Sequence, residues 1–205
     1  AQLAEGQGVM LLGAHLGSFE ALRAGAQSIG TRAAMLMYED NARLINATLR
    51  AIAPEAQLHI IPLGRPGAML TLRRWLNDGG MAGLLADRTL PGHSGRSRTL
   101  MLPFLGQPAP FSDGPLRLAA MLRQRVFFMA GLYQGGARYS LRFEALADFR
   151  TPEGAVPCTG AAMEQQVHAA LARYVALLEA ACREAPYNWF NFYDFWASDE
   201  DAKNA

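Results

Sequence analysis

Short apolar runs alternate with helix-length amphipathic stretches through the first half of the chain. This alternation is the strongest constraint on its fold. Residues 9–14, 33–38, 58–62 and 81–86 are each strand-length, and all are predominantly apolar. Near-continuous hydrophobic runs of this length fit strands covered on both faces rather than strands with one wet face. Between them lie helical stripes. The first carries Phe19, Leu22, Ala26 and Ile29 and ends at Gly30. The second carries Ile45, Leu49 and Ile52 and stops before Pro54. The third starts at Pro66, aligns Met69, Leu72, Arg73 and Leu76, and closes on Gly79-Gly80.

The second half changes pattern. Ser112 is expected to cap a helix through Leu116, Ala119, Ala120 and Arg123. Residues 126–133 read as a strand, Gly135-Gly136 as a hairpin turn, and residues 138–145 as a second strand. In that second strand Tyr139, Leu141, Phe143 and Ala145 alternate with Arg138, Ser140, Arg142 and Glu144. Residues 154–157 form a loop. A long helix over 160–184 buries Met163, Val167, Leu171, Tyr174, Leu178 and Ala181. The expected fold is therefore a single α/β domain over residues 1–205, with a mixed, mostly parallel sheet flanked by helices.

Composition narrows the function. The chain has 205 residues, 51% hydrophobic and 18% charged, with a net charge of +1. This balance fits a globular core and gives no broad electrostatic grip on nucleic acid. Cys158 and Cys182 lie far apart, form no metal-ligand pattern, and read as two reduced thiols of a cytosolic compartment. No apolar run reaches the roughly 20 residues of a membrane span. The chain opens almost directly on the strand at residues 9–14, and Ala1 is not a natural start, so an N-terminal segment is expected to precede it.

The chemistry concentrates at the first strand-to-helix turn, Gly13-Ala14-His15-Leu16-Gly17-Ser18-Phe19-Glu20. Five positions along one helix would set His15 and Glu20 about 140° apart. A strand end, a turn at Gly17 and a new helix capped by Ser18 bring them within reach instead. Glu20 then lies in the first helical turn, where the dipole favours the carboxylate. Such a carboxylate fixes the imidazole tautomer and leaves the other ring nitrogen as a general base for a hydroxyl. Ser18 lacks the Gly-x-Ser-x-Gly setting of a hydrolase nucleophile. Asp87 ends the fourth strand on the same rim. It either orients Arg88 or His15, or caps a turn.

These residues resemble the bacterial lipid A late acyltransferases, within the lysophospholipid and glycerolipid acyltransferase superfamily. That family carries a His-x-x-x-x-Asp/Glu motif after an apolar strand, as residues 8–20 do here. Residues 70–87 continue the likeness with a helix, a Gly-Gly stop and a strand ending in aspartate. Residues 103–109 are similar to the family's Phe-Gly-x-x-Ala segment, residues 114–120 to its Gly-x-x-x-Leu-Ala helix, and residues 186–196 to its closing Pro-x-x-Trp segment. The resemblance implies a glycerol-3-phosphate-acyltransferase-like fold. It implies transfer of a fatty acyl group from an acyl carrier protein or CoA thioester to a lipid or glycolipid hydroxyl. His15 would act as base with Glu20 as its acidic partner, without a metal or bound cofactor. It also implies a membrane partner and a place on the cytoplasmic face of the bacterial inner membrane, peripheral or anchored by the N-terminal segment.

The chain departs from the pattern at Asp87-Arg88, where the family usually has Asp-Gln. It departs again in its tail, where seven of the ten residues from 187 to 196 are aromatic. It resembles a divergent branch, some of whose members accompany aryl-polyene or pigment-lipid pathways. The tail reads as the wall of an acyl tunnel, a lipid contact, or a strap closing the core. Arg50 ends the second helix, where a cation is favoured and where the family often has an arginine that meets a phosphate. Arg88, His93, Arg96 and Arg98 share a glycine-containing loop able to hold a phosphate or simply to be solvated. The rival readings are a thioesterase using the same base on water, and a non-catalytic lipid-binding module.

Overall fold

The computed structural model describes residues 8–28, 30, 32–38, 59–88, 98–152, 156, 158–192 and 194–196. A six-stranded sheet runs in the order β3-β2-β4-β1-β7-β8. Its strands are β1 Val9–Gly13, β2 Ala33–Tyr38, β3 His59–Leu63, β4 Met81–Leu85, β7 Arg125–Tyr133 and β8 Tyr139–Asp148. β1 pairs in parallel with β4 and β7, and β2 pairs in parallel with β3 and β4. Only β8 is antiparallel, joined to β7. The fold is thus the expected α/β domain with a mixed, mostly parallel sheet. The helices are α1 Phe19–Ser28, α2 Ala68–Asn77, α3 Gly114–Met121 and α4 Gly160–Glu184. The expected helix around Ile45, Leu49 and Ile52 lies outside the described residues.

β1 is central, and all five of its residues are buried. Its side chains alternate between the two faces of the sheet. Met10 and Leu12 join the larger core with Leu72 and Leu76 of α2 and Val167, Leu171 and Tyr174 of α4. Val9 and Leu11 pack with Leu22 of α1 and Met129 of β7. The connection after β1 therefore covers one face, and α2 together with the segments after β4 covers the other. Adjacent parallel strands whose connections diverge in this way open a crevice beyond their carboxyl ends. β1 and β4 are such a pair.

Four local readings change in the structure. Residues 99–112 form an unexpected hairpin of β5 Thr99–Phe104 and β6 Gln107–Ser112, turning through Leu105 at φ 54° and Gly106 at φ 92°. Pro103, Pro108 and Pro110 argue against a strand by composition. Counting from the hydrogen-bonded pair that closes a two-residue turn, all three fall at positions where no ladder N–H is needed. The third helix begins at Ala68 rather than at Pro66, and its buried stripe is Ala68, Leu72 and Leu76, with Met69 and Arg73 exposed. Asp113, not Ser112, is the N-cap residue of α3, although Ser112 Oγ accepts from Gly114 N at 3.2 Å. Arg123 lies beyond the end of α3 with φ 53°.

The alternation of β8 is present, with an inversion. Tyr139, Leu141 and Phe143 are exposed, while Ser140, Arg142 and Glu144 are half-buried. β8 is an edge strand whose polar set faces α4, where Arg142 pairs with Glu184. The apolar set lies toward α1, which covers it only in part; Leu141 meets α1 at Gly25.

Candidate active site

The parallel register of β1 on β4 builds the site. Val9 stands opposite Met81 and Gly13 opposite Leu85, and Ala86 N continues the ladder to Gly13 O at 2.9 Å. Two residues beyond the strand ends, the same offset places His15 beside Asp87. Asp87 Oδ1 lies 2.8 Å from His15 Nδ1, and Asp87 Oδ2 accepts from His15 main-chain N at 3.0 Å. The carboxylate is buried at 2% exposure, whereas the imidazole is 31% exposed. A carboxylate has only acceptors, so it selects the tautomer with the proton on Nδ1 and leaves the Nε2 lone pair for a substrate proton.

Two glycines shape the turn that follows. Gly17 has φ 71°, and a Cβ there would stand 2.0 Å from Gly131 O. A Cβ on Gly131 would stand 2.6 Å from Ser18 O. The turn therefore lies directly on the β7 backbone, held by Ser18 N donating to Gly131 O at 2.8 Å. Ser18 Oγ accepts from Ala21 N at 3.1 Å, the contact of an N-cap. Beneath the end of β1, the buried Tyr174 hydroxyl donates to Gly13 O at 2.8 Å. Burial, reinforced by the charge of Asp87, pushes the Tyr174 phenol well above its ordinary value. Burial, with the charges of Asp87 and Glu179, pushes the Cys182 thiol up to about 12. Both groups stay neutral, so Asp87 is backed by an uncharged, desolvated wall.

A cleft of about 450 Å³ is lined by Gly17, Ser18, Phe19, Glu20, Tyr133, Tyr139, Tyr187, Asn188 and Phe190; His15 and Asp87 do not line it, but it adjoins His15 through the turn at Gly17 and through Phe190. Glu20 is exposed on its wall in the first turn of α1. Tyr133 and Tyr139 face each other with ring centroids 5.5 Å apart. The segment over 186–192 crosses this region. Phe190 N donates to His15 O at 2.7 Å, and Gly17 N donates to Asn188 O at 2.7 Å. The tail thus has two sides. Trp189, Phe195 and Trp196 pack around the fully buried Phe104, while Tyr187 and Phe192 are 96% and 88% exposed.

The model of the family described as bacterial lipid A biosynthesis acyltransferase matches residues 1–197. The chain belongs to that family. No match is found among curated proteins.

In this acyltransferase the candidate residues separate into groups. His15, Asp87, Glu20 and Arg88 gather at the carboxyl rim of the sheet, Arg88 donating to Phe190 O at 3.2 Å. Asp87 makes the contact on the His15 ring that the sequence reading gave to Glu20. Arg98 stands elsewhere, 3.8 Å from Glu164 near the start of α4, with its main-chain N on Asp113. The far end of α4 lies about 30 Å away from Glu164, at 1.5 Å per residue. Arg50 and Arg96 lie outside the described residues, as does His93. Asn188, Tyr133 and Tyr139 were not singled out in the sequence, whereas Tyr187 belongs to the aromatic tail that was. The signal available for Asn188 was its place inside the Pro-x-x-Trp segment.

Among the described residues no group of histidine, cysteine, aspartate and glutamate side chains could hold a metal ion. None of the described helices is long and apolar enough to cross a membrane.

Proposed function

We propose that this acyltransferase moves a fatty acyl group from an acyl carrier protein or CoA thioester to a hydroxyl of a lipid or glycolipid, with His15 as general base. The observation that carries the reading is the His15–Asp87 pair beside the aromatic cleft. Asp87 holds the ring through Nδ1, and Nε2 takes the hydroxyl proton. The alkoxide oxygen bonds to the thioester carbonyl carbon. The resulting oxyanion collapses, the C–S bond breaks, and the thiolate leaves, receiving the proton from His15. Glu20 stands on the cleft wall as an acidic group for the acceptor, and Arg88 supplies a cation on the same rim.

The exposed rings of Tyr133, Tyr139, Tyr187, Phe190 and Phe192 support work at a lipid surface, since tyrosine and other aromatics favour the membrane–water boundary. We propose that it works at the cytoplasmic face of the bacterial inner membrane.

The test is incubation with labelled acyl carrier protein and acyl-CoA thioesters in the presence of lipid acceptor vesicles, with lipids read by mass spectrometry. Acylated lipid from the wild type, reduced about 10²- to 10⁴-fold in a folded His15→Ala variant, is the expected result. Free fatty acid without acylated lipid would identify a thioesterase instead. No turnover of either thioester would leave a lipid-binding module.

A further inference from the structure

Asn188 is a buried polar residue, 9% exposed, in a segment whose neighbour Tyr187 is 96% exposed. Its side-chain Oδ1 accepts from Tyr133 N, the last residue of β7, at 2.7 Å. Its main-chain oxygen accepts from Gly17 N at 2.7 Å, and two residues later Phe190 N donates to His15 O at 2.7 Å. The His15–Gly17 loop is therefore held from two directions. Asp87 holds it from β4, and the strap over 186–190 holds it from the side of β7. The strap meets β7 through the Asn188 side chain.

Hydrophobic contact already docks this strap, because Trp189 packs on Phe104 and Phe195. Such contact is non-directional and does not set a strand register. Three hydrogen bonds of 2.7 Å do, since they weaken steeply with misalignment. We infer that Asn188 is a positioning residue for His15. Its amide oxygen anchors the strap to the end of β7, and the strap main chain holds the His15 loop in register with Asp87. The inference rests on His15 being the base of the proposed reaction. It adds a residue that touches neither the imidazole ring nor the reacting atoms.

The experiment compares wild type with Asn188→Ala, Asn188→Leu and Asn188→Asp. The His15 imidazole is followed by ¹⁵N NMR of histidine-labelled protein, assigned with His15→Ala, and acyl transfer is measured in parallel. The wild-type neutral ring is expected to carry its proton on Nδ1. In Asn188→Ala and Asn188→Leu the ring should sample both tautomers. In those variants kcat should fall roughly 10- to 100-fold, with KM for the thioester within about twofold. Asn188→Asp keeps an acceptor for Tyr133 N–H and should restore the tautomer bias.

A folded Asn188→Ala or Asn188→Leu protein with the wild-type ring spectrum would overturn the assignment. So would failure of both variants to fold, which would make Asn188 a structural residue. The ring spectrum is read without substrate. Loss of the tautomer bias in a protein that transfers no acyl group would therefore sink the reaction and leave the positioning role standing.

Discussion

His15 and Asp87 lie 72 residues apart and are joined twice, ring to carboxylate at 2.8 Å and main chain to carboxylate at 3.0 Å. The separation equals the offset that pairs Val9 with Met81 along the parallel ladder. The contact is the continuation of sheet register beyond the strand ends. The proposed base is thus placed by the central sheet, which limits what it costs to hold the ring in one orientation.

Removing the charge of Asp87 should therefore disable the base without removing it. Asp87→Asn is expected to lower kcat/KM by roughly 10²- to 10⁴-fold, because an amide permits the wrong tautomer and no longer stabilises the imidazolium. Glu20→Gln, measured beside it with the same thioester and acceptor, should show the smaller loss. Equal or reversed losses would return the orienting role to Glu20.

The crossing of the His15 turn over β7 leaves no room for a methyl group. Gly17→Ala would drive a Cβ to within 2.0 Å of Gly131 O at a φ of 71°, and Gly131→Ala would meet Ser18 O at 2.6 Å. Each is expected to cost about 2–4 kcal/mol, since the obstructing atoms are backbone. Urea unfolding of the two variants checks this, with Gly135→Ala as control. A Cβ at Gly135 meets nothing within 4 Å and carries only the strain of its φ of 89°.

Acid should loosen the packing of α3 on α4. Arg117 grips Glu164 through two contacts of 2.6 Å and Asp113 through one of 2.8 Å. The Arg117 hydrogen bonds hold the Glu164 carboxyl down at about 2. A depressed carboxylate stabilises the fold fully above its unfolded value, and that stabilisation disappears as pH falls through the folded one. The Tm difference between wild type and Glu164→Gln should be largest above pH 4.5 and shrink toward pH 2. A difference that stays constant over that range would contradict the linkage.

Lipid contact is expected to run through the outward rings of the strap. Tyr187→Ser and Phe192→Ser alter side chains that are almost fully exposed, so each should change stability by less than about 0.5 kcal/mol. Together they should reduce co-sedimentation with phosphatidylethanolamine–phosphatidylglycerol vesicles several-fold. Unchanged vesicle binding by the double variant would separate the strap from the membrane role.

Much of this architecture is legible in the chain because hydrophobic periodicity is local. The apolar runs that become β1, β2, β3 and β4 announce themselves without any knowledge of their neighbours, and α4 occupies the expected residues 160–184. The hairpin of β5 and β6 does not, because Pro103, Pro108 and Pro110 contradict strand composition. Their tolerance depends on which ladder positions need an N–H, and only the paired partner decides that.

The same division holds at the site. Sequence alone marked His15, the turn at Gly17, the Ser18 cap and the acidic ends at Glu20 and Asp87. It gave the ring contact to Glu20, and the structure puts Asp87 there. Glu20 is near in sequence, whereas Asp87 is near only through the parallel pairing of β1 with β4, which are separated in the chain by two other strands. The tail shows this most plainly. Its aromatic composition was visible, but its division into core-packing Trp189, Phe195 and Trp196, exposed Tyr187 and Phe192, and buried, hydrogen-bonded Asn188 was not. Local residue patterns report which groups want burial. Which group stands beside which is set by register across the sheet, and that exists only once the chain has folded.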